Sequence, residues 1–130
     1  MHVLAYNLGC HGGDDDYIHA LIDLFFATHG HSIIIYFSEL DAQAHRDIEQ
    51  SDDYTIFRHK PLRCNAMAFV IPKQLFSSLQ GISFSGRAGL ARFKFCHNSS
   101  YSQWMILGHH GGHEDELDNS LHSLAELLRQ

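Results

Sequence analysis

The chain lacks most of the features that would fix its class at sight. Its three cysteines, Cys10, Cys64 and Cys96, are odd in number and none pairs in a CxxC spacing. A disulfide framework is therefore not expected, and a reducing, intracellular setting (cytoplasm or nucleus) fits better. There is no run of about 18 apolar residues to cross a membrane as a helix. The opening Met1-His-Val-Leu-Ala-Tyr6 carries no basic segment ahead of a long apolar one, so no signal peptide is expected. Positive charge is scarce: 9 Lys and Arg stand against 15 Asp and Glu, for a formal net charge of -6. A protein that holds nucleic acid with its own cations is normally basic. A phosphate substrate here would need a metal or locally placed charges. Linkers and low-complexity stretches are also missing.

What is present is enough for one domain spanning residues 1–130. The 45% hydrophobic content is ordinary for a globular chain, and 130 residues suffice for one core and not for two. Histidine is the compositional outlier, at 12 residues, but His2, His19, His29, His45 and His59 are scattered along the chain. That pattern reads as background composition and not as one metal cluster.

Strands and helices alternate. Residues 2–7 read as a buried strand, broken by Gly9, Gly12 and Gly13. The acidic run Asp14-Asp15-Asp16 suits a helix N-terminus, and Ile18, Leu21, Ile22 and Phe25 follow at helical spacing. A helix over 15–28, ended by Gly30, is predicted. Ser32–Phe37 is β-branched and aromatic without alternation, as in a strand buried on both faces. Residues 41–50 are polar and read as a short exposed helix. Strands are predicted at Tyr54–Arg58, Asn65–Ile71, within 88–96 and at Gln103–Leu107, with helical turns over 73–79 and a turn at Asn98-Ser99-Ser100. Leu117, Leu121, Leu124 and Leu128 predict a final amphipathic helix. The expected class is α/β or α+β: a mixed, mainly antiparallel sheet with flanking helices.

Two polar residues fall at the ends of apolar strands: Asn7 after Val-Leu-Ala-Tyr, and Glu39 after Ile-Ile-Ile-Tyr-Phe-Ser. A carboxylate is the hard oxygen ligand that magnesium prefers, and an amide can bind phosphate or orient the carboxylate. Taken alone, both residues are better explained by ordinary capping of loops.

The order of the segments adds to this. Val3-Leu-Ala-Tyr-Asn-Leu-Gly9 resembles the opening strand of the endonuclease/exonuclease/phosphatase family, which includes deoxyribonuclease-like and retroelement endonucleases and ends that strand in Trp-Asn-x-x-Gly or similar. Ile33–Glu39 resembles its second strand, which ends in Gln-Glu. Tyr54-Thr-Ile-Phe57 stands where the family has Tyr-x-x-Phe, and Asn65–Lys73 where it has a strand leading to Lys or Arg. Gly86-Arg87 with Leu90–Phe95 is similar to the next strand. Gln103–His109 is similar to the strand that ends in His or Tyr. Tyr6 replaces the family's Trp, and Ser38 its Gln. The Gly-Asp-x-Asn motif and the final Asp-His pair have no counterpart, since Asp118-Asn119 lies at a helix start. The resemblance thus covers the family's N-terminal half, half of a four-layer α/β-sandwich. It implies hydrolysis of phosphoester bonds with Mg²⁺ or Mn²⁺. Glu39 would be the metal ligand, Asn7 its phosphate-side partner, and His109, or else His110, would lie near the phosphate. The general base would be missing, so a fragment inactive alone is expected. A homo-oligomer or a separate C-terminal half would complete it.

Competing readings stay open. His109-His110-Gly111-Gly112-His113-Glu114 is the densest set of possible zinc or nickel ligands, yet no His-x-x-x-His spacing preforms a site. It reads better as a solvated loop before a helix. Cys10-His11 could suggest a nucleophile pair, but adjacent residues rarely face each other. Gly9–Gly13 lacks the Gly-Lys-Ser/Thr ending of a phosphate loop. A non-catalytic interaction module is the remaining class, because half of a sandwich would expose an apolar face or a bare edge.

Overall fold

Helical spacing in 15–28 gives a helix, and the computed structural model has α1 at Asp15–His29. Ile18, Ile22 and Phe26 share one face and are buried, with Leu21 and Phe25 packed beside them. Gly30 closes the helix. Its φ is +83° and its N–H donates to the Phe26 carbonyl at 2.8 Å, a left-handed cap that a residue without Cβ adopts without strain. The structure describes residues 2–9, 15–40, 47–59, 66–86, 88–97, 99–109 and 125–129. They belong to two compact units, residues 1–76 and 77–130.

In the first unit five strands form a sheet: β1 (His2–Asn7), β2 (Ile33–Leu40), β3 (Ile48–Gln50), β4 (Tyr54–His59) and β5 (Ala66–Pro72). Their order is β1-β2-β5-β4-β3. β1 and β2 are parallel, and α1 provides the crossover that parallel neighbours require. The other pairs are antiparallel. One face of the sheet carries Ile33, Ile35, Phe37, Ile56, Ala68 and Val70, which pack in one core with the apolar stripe of α1. On the opposite face Ile34, Tyr36, Met67, Phe69 and Ile71 are buried as well. β2 and β5 are thus buried on both sides, as unbroken apolar runs predict. The Tyr36 hydroxyl donates to the Met67 sulfur at 3.6 Å, and burial pushes its pKa up to about 12.

In the second unit three antiparallel strands, β6 (Leu79–Ser85), β7 (Ala88–His97) and β8 (Ser100–His109), pair in the order β6-β7-β8. Ser99 takes the left-handed conformation at the β7–β8 turn, with φ +69°. Residues 125–128 are helical, and Leu127 is buried with Ala88 and Leu90. Leu117, Leu121 and Leu124, the rest of the predicted final helix, lie outside the described residues. The class is α+β, with one mixed sheet, one antiparallel sheet and few helices.

Three expectations are corrected. β1 is not buried: it is the end strand of its sheet, with Val3 50% and Tyr6 37% exposed. Its apolar run does not tell how many neighbours the strand has. The helix expected over 41–50 is a strand at Ile48–Gln50, held by pairing to β4; residues 41–46 lie outside the described part. β6 was not expected at all, because Gly81 and alternating serines hide Ile82 and Phe84.

Candidate functional site

Strand register brings the two sequence-predicted residues of the first unit together. Asn7 lies opposite Ser38 in the parallel β1–β2 pair, and the Leu8 N–H extends that pairing to the Ser38 carbonyl at 2.9 Å. Neighbouring strands are about 4.8 Å apart. Asn7 and the Ser38-Glu39 pair therefore sit at the same end of adjacent strands. Asn7 is exposed, and its Oδ1 accepts the Gly9 N–H at 2.8 Å. That bond is the capping role expected of a strand-end Asn. It also fixes the amide, leaving Nδ2 as the group with N–H bonds to offer a ligand.

Glu39 occupies a bulge. Phe37 pairs with Ala68 and Leu40 with Ala66, with a register shift between them. Regular alternation would send Glu39 to the same core face as Phe37 and turn Leu40 away. The extra residue reverses this: Phe37 and Leu40 both enter the core, at 0% and 1% exposure, while Glu39 stays half-buried outside it. Its φ is +52°, a left-handed conformation that costs a residue with a Cβ about 1–2 kcal/mol. Bulges of this kind re-aim side chains and gather near functional sites.

The same level of the sheet continues to Met67 on β5, and then to His59, which pairs with Met67 from β4. His59 thus stands two strand spacings, roughly 10 Å, from the bulge. Burial lowers its pKa, and the charge of Asp47 offsets part of that effect. The sequence held His59 only as one of many scattered histidines; its place directly after the strand Tyr54–Arg58 was the available signal. A depressed imidazole pKa means that the fold prefers the neutral ring. That contribution to stability is complete above the ordinary value of 6.5 and is lost as pH falls through the lower folded value. Urea midpoints are therefore expected to drop from about pH 7 to about pH 5, and His59→Gln to flatten that decline. An equal decline in the variant would assign it to another group.

A second polar cluster was not visible in the sequence. His19 of α1 bonds through Nδ1 to the Tyr54 hydroxyl and through Nε2 to Glu49 Oε1 at 3.0 Å. Arg58 Nη1 donates to Glu49 Oε2 at 2.8 Å, and the Arg58 side chain is 1% exposed. This chain of four residues ties α1 to β3 and β4. Both ring nitrogens of His19 and both carboxylate oxygens of Glu49 are engaged within the cluster, so it is a clasp. A cleft of about 410 Å³, lined by Gln50, Asp52, Thr55, Lys73 and Phe76 among others, opens at the other end of β4, away from Asn7 and Glu39.

His109 is the last residue of β8, paired with Ala88 in the second unit; its side chain, and His110, His113 and Glu114, lie outside the described part. So do Cys10, His11, Cys64 and Asp118-Asn119. Cys96 is exposed and free. Among the described residues no three His, Cys, Asp or Glu side chains group as a metal site, and no helix is long and apolar enough to cross a membrane. A carboxylate and an amide at the same end of adjacent strands are still compatible with magnesium, which keeps several waters and takes one or two protein carboxylates together with substrate phosphate. It does not fit a closed zinc centre. No family model, no curated protein and no solved structure matches this chain.

Proposed function

We propose that this chain contributes the metal-binding and phosphate-facing part of a phosphoester hydrolase of the endonuclease/exonuclease/phosphatase kind. On this reading the fold is half of a four-layer α/β-sandwich in an intracellular protein. The observation that carries the proposal is the bulge that lifts Glu39 out of the core in a strained backbone, one strand away from Asn7. A side chain needed only to end a strand has no reason to sit at φ +52°, where Gly would be unstrained.

Bound Mg²⁺ or Mn²⁺ supplies charge neutralisation at the phosphoryl oxygens. Glu39 holds the ion through its carboxylate. Asn7, with Oδ1 engaged by Gly9, donates from Nδ2 to a phosphoryl oxygen and orients the ester. The sequence offers no counterpart of the family's Gly-Asp-x-Asn motif or its Asp-His pair, so these 130 residues bind metal weakly and do not turn over substrate by themselves.

Manganese titration followed by NMR tests this. Paramagnetic broadening is expected first at Asn7–Gly9 and Ser38–Leu40, and Glu39→Gln is expected to abolish it. Glu39→Gly should also abolish it while leaving stability unchanged or raised by up to about 1 kcal/mol, because the left-handed strain is relieved. Broadening centred on His109–His113 would sink the proposal in favour of a His-rich metal protein. Hydrolysis of a phosphodiester by the homogeneous protein would refute its account of turnover.

A further inference from the structure

Among the described residues no strand pairs with the outer edge of β8. β8 ends the order β6-β7-β8 and runs ten residues, Ser100–His109. Natural edges are blunted by charge, proline, bulges or shortness. Between Ser100 and Gly108 there is no charged residue and no proline, and the β7–β8 register runs without a shift from Ala88–His109 to His97–Ser100. The strand also carries large apolar side chains in water on both faces: Tyr101 is 65% exposed and Met105 66%, Leu107 40% and Trp104 52%. Alternation puts Tyr101, Met105 and Leu107 on one face and Trp104 on the other. On the Trp104 face, its ring meets Phe95 edge-on at 6.4 Å, and Phe95 stacks on Phe93 at 5.8 Å.

We propose that β8 pairs antiparallel with β8 of a second copy, joining two three-stranded sheets into one of six strands. The chain is acidic overall, which sets copies apart elsewhere, but this strand is neutral, so self-pairing brings no like charges face to face. A two-fold axis perpendicular to the sheet keeps each face continuous, so it can pair only residues on the same face. Centred on Trp104, it sets Trp104 against its equivalent, Gln103 against Met105, Tyr101 against Leu107 and Ser102 against Ile106. The four exposed apolar side chains offer on the order of 500 Å² per copy; edge pairing covers their flanks and leaves the sheet faces open, which puts the interface at the small end of specific ones. The pairing is isologous, so it closes at two copies and does not grow into a fibre.

The chain's single tryptophan is at the centre of this contact and reports on it. Light scattering on the full chain, over concentrations on the order of 1 to 100 μM, is expected to move from monomer to dimer. Trp104 emission should shift to the blue over the same range. Met105→Lys, at an exposed position, should hold the protein monomeric at the top of the range, with a melt that stays cooperative although Arg92 stands directly opposite it on β7. Gln103→Lys, which faces Met105 of the copy, should weaken the dimer at least tenfold. A wild-type monomer throughout would overturn the proposal, as would a dimer indifferent to both lysines or assembly running on beyond two copies. These outcomes are independent of metal binding at Glu39.

Discussion

Phe37→Ala is expected to lower the stability of the protein by about 4 kcal/mol, within the range found when a large aromatic leaves a sealed core. Phe37 is 0% exposed on β2, the strand flanked by β1 and β5. Its ring stands 6.3 Å from Tyr6 and 6.4 Å from Phe25, so one side chain links the end strand β1, its neighbour β2 and the helix. Total stabilities of domains this size are about 5–15 kcal/mol, and the variant therefore keeps a small margin. Its effect should also be uneven. β2 is the neighbour of β1 in the sheet, so amide exchange in His2–Asn7 should quicken more than in β4 or β5. Tyr6→Ala removes a ring that is 37% exposed and should cost about half as much or less. Urea denaturation of both variants decides the matter. A Phe37→Ala loss under about 1.5 kcal/mol would mean that the surrounding core collapses into the space.

That linkage explains what could be read in advance. α1 was legible because Ile18, Leu21, Ile22 and Phe25 fall at helical spacing. β2 and β5 were legible because Ile33–Phe37 and Ala66–Ile71 are apolar without alternation. These are local signals. β1 has an equally apolar run, but its exposure depends on what pairs with it, and no property of residues 2–7 reports that. Ile48–Gln50 is a strand only because β4 offers it a partner; its own composition reads as surface helix. At the candidate site, the strand-end positions of Asn7 and Glu39 were legible, and their shared level followed from the parallel register. The bulge was not: neither Ser38 nor Glu39 is a glycine, and the extra residue shows only against Ala68 and Ala66 across the sheet. The clasp was hidden for the same reason, since His19 and Glu49 are separated by 30 positions and meet only once α1 packs on the sheet.

Glu49→Ala is expected to cost about 3 kcal/mol, because it removes the carboxylate from a guanidinium that cannot return to water. The Arg58 side chain is 1% exposed and that of Glu49 26%, so the charge that would be stranded belongs to the arginine. The further contacts of Arg58 keep the loss below that of a wholly uncompensated ion. Burial by itself would raise the Glu49 pKa. The hydrogen bonds from Arg58 and His19, and the charges of both, outweigh it and hold the carboxyl below its ordinary value of 4.5. With the folded pKa depressed, this contribution is complete above that ordinary value and is lost as pH falls through the lower folded one. The wild type should therefore lose stability in a second acid step, below the His59 step, and Glu49→Ala should lack the second step while keeping the first. Arg58→Met in the Glu49→Ala background should recover part of the loss, since removing both members of a buried pair costs less than removing one. If the double variant is weaker than Glu49→Ala alone, Arg58 supports the fold chiefly through its packed stem and not through its charge.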